Sequence, residues 1–198
     1  MGVTIEDIKK LKELTGVGLT DAKGALVEAD GDFDKALEAM RKKGLTKAEK
    51  KGDRETREGL IESYVHSDRI GVVVEVNCET DFVARLPEFK EFAHQIAMQI
   101  AAMAPKYSTV EDIPAEEYEA KKAELLASDA LNGKPAEMAE KIVEGQLKKY
   151  FAEQVLSEQT FVLDDSMTVE DRIKEQIAKS GENIRISQFK RIELGVSE

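Results

Sequence analysis

The stretch LIESYVHSDRIGVVVEVNC, residues 60–78, decides the fold. Two runs rich in β-branched residues, LIESYVH (60–66) and GVVVEVNC (71–78), flank SDRIG (67–71), which reads as a hairpin loop. On the second run Val72, Val74, Val76 and Cys78 recur every two residues and so share one face, the alternation of a half-buried strand. Cys78 then reads as a small core residue, not a reactive thiol.

Beyond Pro87 the period lengthens to that of a helix. Phe89, Phe92, Ala93, Ile96, Ala97, Ile100, Ala101 and Ala104 form one wide stripe that Pro105 ends, which predicts a core helix packed on the sheet. Residues 114–131 and 135–157 read as a helical pair broken at NGKP (132–135). The first arm is highly charged and has few large apolar residues, so the hairpin should protrude. The second arm, with Ile142, Leu147, Phe151 and Leu156, should return to the core. TFVL (160–163) predicts a short strand. MTVEDRIKEQIAKSG (167–181) predicts a capped helix with Val169, Ile173 and Ile177 inward, and NIRISQFKRIEL (183–194) a final strand. In that strand Ile184 and Ile186 alternate and Phe189 breaks parity, the mark of a bulge. Strands and helices are interspersed without a βαβ rhythm, which points to an α+β fold with an antiparallel sheet and packed helices.

Upstream, residues 4–43 read as three short helices. Thr4 and Asp7 resemble a capping box, and Ile5, Ile8, Leu11 and Leu14 follow at helical spacing. The loop TGVGLTD (15–21) separates the first two helices, with Thr20 or Asp21 as cap. Ala22, Ala25, Leu26 and Ala29 mark the second stripe; Phe33, Ala36, Leu37 and Met40 mark the third, closed by Gly44. The expected division is a three-helix head over 1–44, a basic linker over 45–58 and an α+β core over 59–198, with the helical hairpin at about 114–157. Residues 41–58 carry eight Lys or Arg against four Asp or Glu, a local +4. The whole chain is at −11, which leaves −15 elsewhere.

That charge disfavours nucleic acid, whose phosphates need a basic face. One cysteine and two histidines, His66 and His94 in different elements, leave no disulfide and no metal cluster. No apolar run approaches the roughly 18 residues of a membrane span, and the first residues lack a leader's pattern, so a cytoplasmic protein away from the membrane is expected. Gly16-Val17-Gly18 is not a phosphate loop: no strand precedes it, the third glycine is missing, and Asp21 places negative charge where phosphate would sit. No catalytic constellation and no cofactor motif emerges. The chain reads as a protein that acts by binding.

One segment invites that reading. After the second strand, Glu79-Thr80-Asp81-Phe82-Val83 places an acid and a large aromatic where the chain leaves the core. Either Thr80 caps a helix, Asp81 meets its dipole and Phe82 and Val83 tuck under the sheet, or Phe82 projects as an anchor for a partner's pocket beside Asp81.

The stretches LKELTGVGLTDAKGAL (11–26), GDFDKALEAMRKKG (31–44), VEVNCETDFVAR (74–85), GKPAEMAEKIVEGQLKKYFAE (133–153) and GENIRISQFKRIELG (181–195) occur in one order. Together they resemble the bacterial elongation factor Ts family, nearly end to end and in its short form with one core half. The resemblance implies a guanine nucleotide exchange factor for the GTPase elongation factor Tu, not an enzyme. It implies that Thr80, Asp81, Phe82 and Val83 intrude near the partner's Mg²⁺ and help dislodge it, and that the head loop, Gly16, Val17, Gly18 and Leu19, touches the partner. The loop departs from the family at Leu19, Thr20 and Ala22. The single core half implies a homodimer. The head also resembles ubiquitin-associated domains; a peptide-binding adaptor is the rival reading, and it leaves residues 59–198 without a role.

Overall fold

The computed structural model describes residues 3–15, 17–128 and 136–196. Three helices come first, α1 (Ile5–Thr15), α2 (Leu19–Glu28) and α3 (Phe33–Glu49). The Thr4 hydroxyl accepts from the Asp7 N–H at 3.1 Å and donates to the Asp7 carboxylate at 2.6 Å, which starts α1. The three helices enclose Leu11, Ala22, Ala25, Leu26, Ala36 and Met40. Ile5 and Leu14, placed on the first stripe from spacing, lie on the solvent side instead. The core that α2 offers is mostly alanine and shallow, so α1 inserts Leu11 and, in part, Ile8. Gly18 is the residue before α2 and no side chain caps it, so Thr20 and Asp21 fall inside the first turn and do not cap it.

The sheet follows. Strands β1 (Glu58–His66) and β2 (Ile70–Cys78) pair antiparallel, Leu60 opposite Val76 and His66 opposite Ile70. One helical turn, α4 (Asp81–Ala84), leads into α5 (Pro87–Met103). Phe89, Phe92, Ala93, Ile96, Ala97, Ile100 and Ala101 of α5 are buried in one cluster with Val72, Val74, Val76 and Cys78. Each large apolar side chain so buried contributes about 1.5–3 kcal/mol, and this layer is the main core. Ala104, counted on that stripe, is instead the exposed C-cap at φ 46°. Gln99 is fully buried among apolar neighbours, and its amide is satisfied by Gln159, the Thr160 carbonyl and the Val162 N–H.

Helices α6 (Ala115–Leu126) and α7 (Ala136–Ala152) form the helical pair; the NGKP turn lies outside the described residues. Ile142, Leu147 and Phe151 do not return to the main core as expected. With Val143 and Val155 they build a separate cluster against Tyr107, Ile113, Tyr118 and Leu125. Tyr118 stacks on Phe151 at 5.6 Å between ring centroids. The large side chains missing from α6 are supplied in part by the segment before it. Leu156 alone of that expected group joins the main core, past the end of α7.

The predicted strand over 160–163 is a two-stranded ribbon, β3 (Thr160–Phe161) and β4 (Asp164–Thr168), with Val162 and Leu163 exposed at the turn. The polar DDSMT of β4 has no apolar alternation, so no strand was legible there. Helix α8 (Val169–Ser180) opens on a Thr168–Asp171 capping box, ends at Gly181 and leads to β5 (Ile184–Glu193). β5 pairs antiparallel with β2, giving the sheet order β1-β2-β5. Val76 faces Ile186 and Glu75 faces Gln188, so Ser187 is the extra residue of the bulge.

The third helix does not close at Gly44; it runs to Glu49 and packs on α8. A Cβ at position 44 would stand 3.4 Å from the Ala178 Cβ, so the glycine permits the close approach of the two helices. That packing offsets the roughly 1 kcal/mol that glycine costs inside a helix. Part of the expected linker is thus helical, and the rest is held to the core. Lys51 Nζ donates to the Gly181 carbonyl at 2.5 Å, and Asn183 Nδ2 donates to the carbonyls of Gly52 and Arg54 at 3.1 and 2.7 Å.

At the start of β1, Gly59 has φ 152°, and a Cβ there would meet the Val76 carbonyl oxygen at 2.2 Å and the Asn77 Cα at 2.7 Å. Gly59→Ala should lower stability by roughly 2–4 kcal/mol in urea denaturation. Gly145→Ala, on the exposed side of α7 with nothing near the new Cβ, should raise it by about 0.5–1 kcal/mol. A Gly59→Ala protein as stable as its parent would refute the close approach.

Candidate functional site

Of the helix-entry reading of Glu79–Val83, the structure keeps Val83 in the core and leaves Phe82 outside it. β2 ends at Cys78, and α4 turns the chain within four residues toward α5. A single turn presents different sides to core and solvent. Val83 and Ala84 face inward at 7% and 8% exposure, whereas Phe82 is 83% exposed. A benzyl group at that exposure, on a turn anchored by two buried neighbours, is a projecting side chain and not a core residue. Asp81 lies beside it in solvent and pairs with Arg85 at 2.8 Å. Between exposed groups such a pair contributes about 0–1 kcal/mol, so Asp81 is readily given up to another partner. Leu86, four residues after Phe82, is 43% exposed and extends the apolar surface.

Thr80 does not cap α4. Its hydroxyl donates to Glu182 Oε1 at 2.6 Å and its backbone N–H donates to Glu182 Oε2 at 3.0 Å. In the reverse sense, the Glu79 carboxylate accepts from the Asn183 N–H at 2.7 Å and meets Arg54 at 3.5 Å. Two carboxylates therefore cross between the end of β2 and the start of β5. Sequence reasoning missed Glu182, Asn183 and Glu79 as partners of the projecting turn. Each is an ordinary polar residue among forty acids or in a turn, and only the pairing of β2 with β5 brings them together.

Cys78 lies beneath this turn. Its thiol donates to the Thr80 carbonyl at 3.1 Å, and burial first, then the charge of Glu182, pushes its pKa up to about 11. It is protonated at neutral pH and is no nucleophile. His94 Nδ1 lies 3.0 Å from Glu62 and its ring stands edge-on to Tyr64, whose hydroxyl meets His66 at 2.8 Å. Those contacts tie β1 to α5. Among the described residues no group of three His, Cys, Asp or Glu is arranged to hold a metal ion, and no helix is long and apolar enough to cross a membrane.

In the head loop, Gly16 lies outside the described residues. Val17 turns partly onto the head core, Gly18 precedes α2, and Leu19 is 53% exposed. The structure brings Thr80, Asp81, Phe82 and Val83 into one turn and holds Val17, Gly18 and Leu19 together in a separate loop of the head.

A family model described as elongation factor TS matches residues 45–196. Among curated proteins, the chain is 54% identical over 196 residues to elongation factor Ts of Thermotoga petrophila, covering 98% of each chain. It is 50% identical to that of Fervidobacterium nodosum, covering 98% of this chain and all of the relative. It is 53% identical over 195 residues to that of Carboxydothermus hydrogenoformans, covering 98% of this chain and 89% of the relative. With a family model matching most of the chain and relatives at least 50% identical over nearly all of it, the chain belongs to the elongation factor Ts family.

Proposed function

We propose that the chain is the guanine nucleotide exchange factor for elongation factor Tu, and that Thr80–Val83 is the wedge it inserts beside the partner's Mg²⁺. The observation that carries the wedge is the 83% exposure of Phe82 on a turn whose other face is locked into the core. The chain makes and breaks no covalent bond. A Mg²⁺ ion holds its octahedral ligands at tightly defined distances and bridges the nucleotide phosphates, so a displacement of about an ångström in its shell weakens metal and nucleotide together.

Phe82 does not act alone. Nanomolar nucleotide binding amounts to roughly −12 kcal/mol, against about 1.5–3 kcal/mol for burying one phenylalanine. Because coupling between two ligands is reciprocal, a factor that expels GDP must itself bind the empty GTPase tightly. The exposed apolar residues of the head, Leu19 among them, supply part of that larger interface. The adaptor reading assigns no role to residues 45–196, the part of the chain that carries the family match.

The outer face of the sheet supports a homodimer. Val65, Gly71 and Ile192 form one cross-strand row on it, and Ser63, Val73 and Lys190 the next. Ile61, Val65, Val73, Ile192 and Leu194 are all exposed. Glu75, held ionised by hydrogen bonds from Gln188 and Asn77, stands one row from Lys190. A face carrying both charges beside an apolar centre is complementary to itself under two-fold rotation.

Two measurements test these readings. Phe82→Ala should slow release of fluorescent GDP from elongation factor Tu by roughly 10- to 100-fold, the equivalent of one lost phenylalanine contact, while binding of the empty GTPase weakens less. Release at the parent rate would remove Phe82 from the mechanism. In sedimentation at micromolar concentration the free chain should run as a dimer and Val73→Lys as a monomer; a monomeric parent would contradict the two-fold contact.

A further inference from the structure

We infer that Glu182 is a positioning residue for exchange: its carboxylate fixes the direction in which Phe82 leaves the fold. The inference rests on the reading of Phe82 as the wedge and adds a residue from the opposite end of the chain to it.

The last cross-strand pair between β2 and β5 is Cys78 with Ile184. Continued in the same register, Glu79 would face Asn183 and Thr80 would face Glu182. The backbone ladder stops there. In place of its carbonyls, the side-chain carboxylate of Glu79 takes the Asn183 N–H and that of Glu182 takes the Thr80 N–H. The sheet is thus prolonged by two positions through side chains, and α4 starts from a fixed point. Glu182 also takes the Thr80 hydroxyl at 2.6 Å, so both donors of Thr80 are held by one carboxylate.

This matters because α4 has four residues. A helix that short has no stability of its own, and its orientation is set by what holds its ends. Val83 and Ala84 pin the far end in the core. The near end has no side-chain cap. The Glu182 grip on Thr80 takes that place, two residues before Phe82. Glu182 is in turn steadied by the Ser180 hydroxyl, which accepts from the Glu182 N–H at 3.2 Å and donates to its carbonyl at 3.3 Å. The adjoining Asn183 is tied to the carbonyls of Gly52 and Arg54. A wedge that must meet a metal shell within a fraction of an ångström requires such a fixed base, since a loosely held ring spreads its contact over many poses.

Glu182→Gln keeps size and shape but leaves one acceptor oxygen for the two Thr80 donors and removes the charge, so the hydroxyl has to turn and accept from the NH₂ and both bonds weaken. The test is fluorescent-GDP release from elongation factor Tu over a range of exchange-factor concentrations. At saturation, Glu182→Gln should release GDP roughly three- to tenfold more slowly, with the half-saturating concentration changed by less than about twofold. Thr80→Val should reproduce this loss, and the double variant should be no slower than either single. In a Phe82→Ala background, Glu182→Gln should add nothing. A merely structural role would lower the thermal midpoint and raise the half-saturating concentration without this dependence on Phe82. Release by Glu182→Gln at the parent rate, or a loss that multiplies with that of Phe82→Ala, overturns the inference while leaving the wedge standing. If Phe82→Ala alone releases at the parent rate, the wedge reading fails and the inference falls with it.

Discussion

The face of β2 that carries Val72, Val74, Val76 and Cys78 has to be kept from water, and α5 is the element that covers it. The remaining architecture follows from that contact. β1 and β5 flank β2 and satisfy its backbone on both sides. The chain leaving β2 has only residues 79–86 in which to reverse and begin α5. So short a connection allows one helical turn. That turn has an inner side, taken by Val83 and Ala84, and an outer side that receives Asp81 and Phe82. Phe82 is left on that outer side, 83% exposed, as a projecting aromatic beside Asp81.

The second constraint is long-range. The α8–β5 turn serves three masters at once. Through Glu182 it holds the base of the projecting turn, through Asn183 it holds the backbone of residues 52–54, and through Gly181 it receives Lys51. Helix α8 also packs on α3, the last helix of the head. The basic segment between head and core is therefore not a free tether in this structure. It lies along the same turn that supports Thr80, so the head and the projecting turn are referenced to one point.

The helical hairpin stands apart from both constraints. It has its own apolar cluster and joins the core through a short pairing at its root, where the Leu156 N–H donates to the Tyr107 carbonyl at 2.8 Å and the Ser157 N–H to that of Ser108 at 3.1 Å. Charge on α6 leaves only a narrow seam for burial, and Tyr107, Ile113 and Tyr118 widen it.

Much of this was legible in residue order. Alternation named the buried face of β2, helical spacing named the stripe of α5, and a parity break in β5 announced the bulge at Ser187. These signals are local, since period and turn chemistry depend on neighbours in the chain. The five ordered motifs marked the family and, with it, Thr80–Val83. Other features were decided only by tertiary structure. Helix α3 passes through Gly44 because α8 lies against it, and the polar strand β4 exists because β3 offers it a partner. Phe82 points outward because Val83 and Ala84 take the inner side of the single turn α4, and Glu182 holds Thr80 because the β2–β5 register carries it across 102 positions of sequence. The sequence alone determined the buried faces of β2 and α5, though not the fate of Ile5, Leu14 and Ala104, which its spacing placed inside. Which polar groups meet, and which aromatic is left outside, depended on the chain folding back on itself, because hydrogen bonds between distant residues and the side a short turn shows to the core have no local signature.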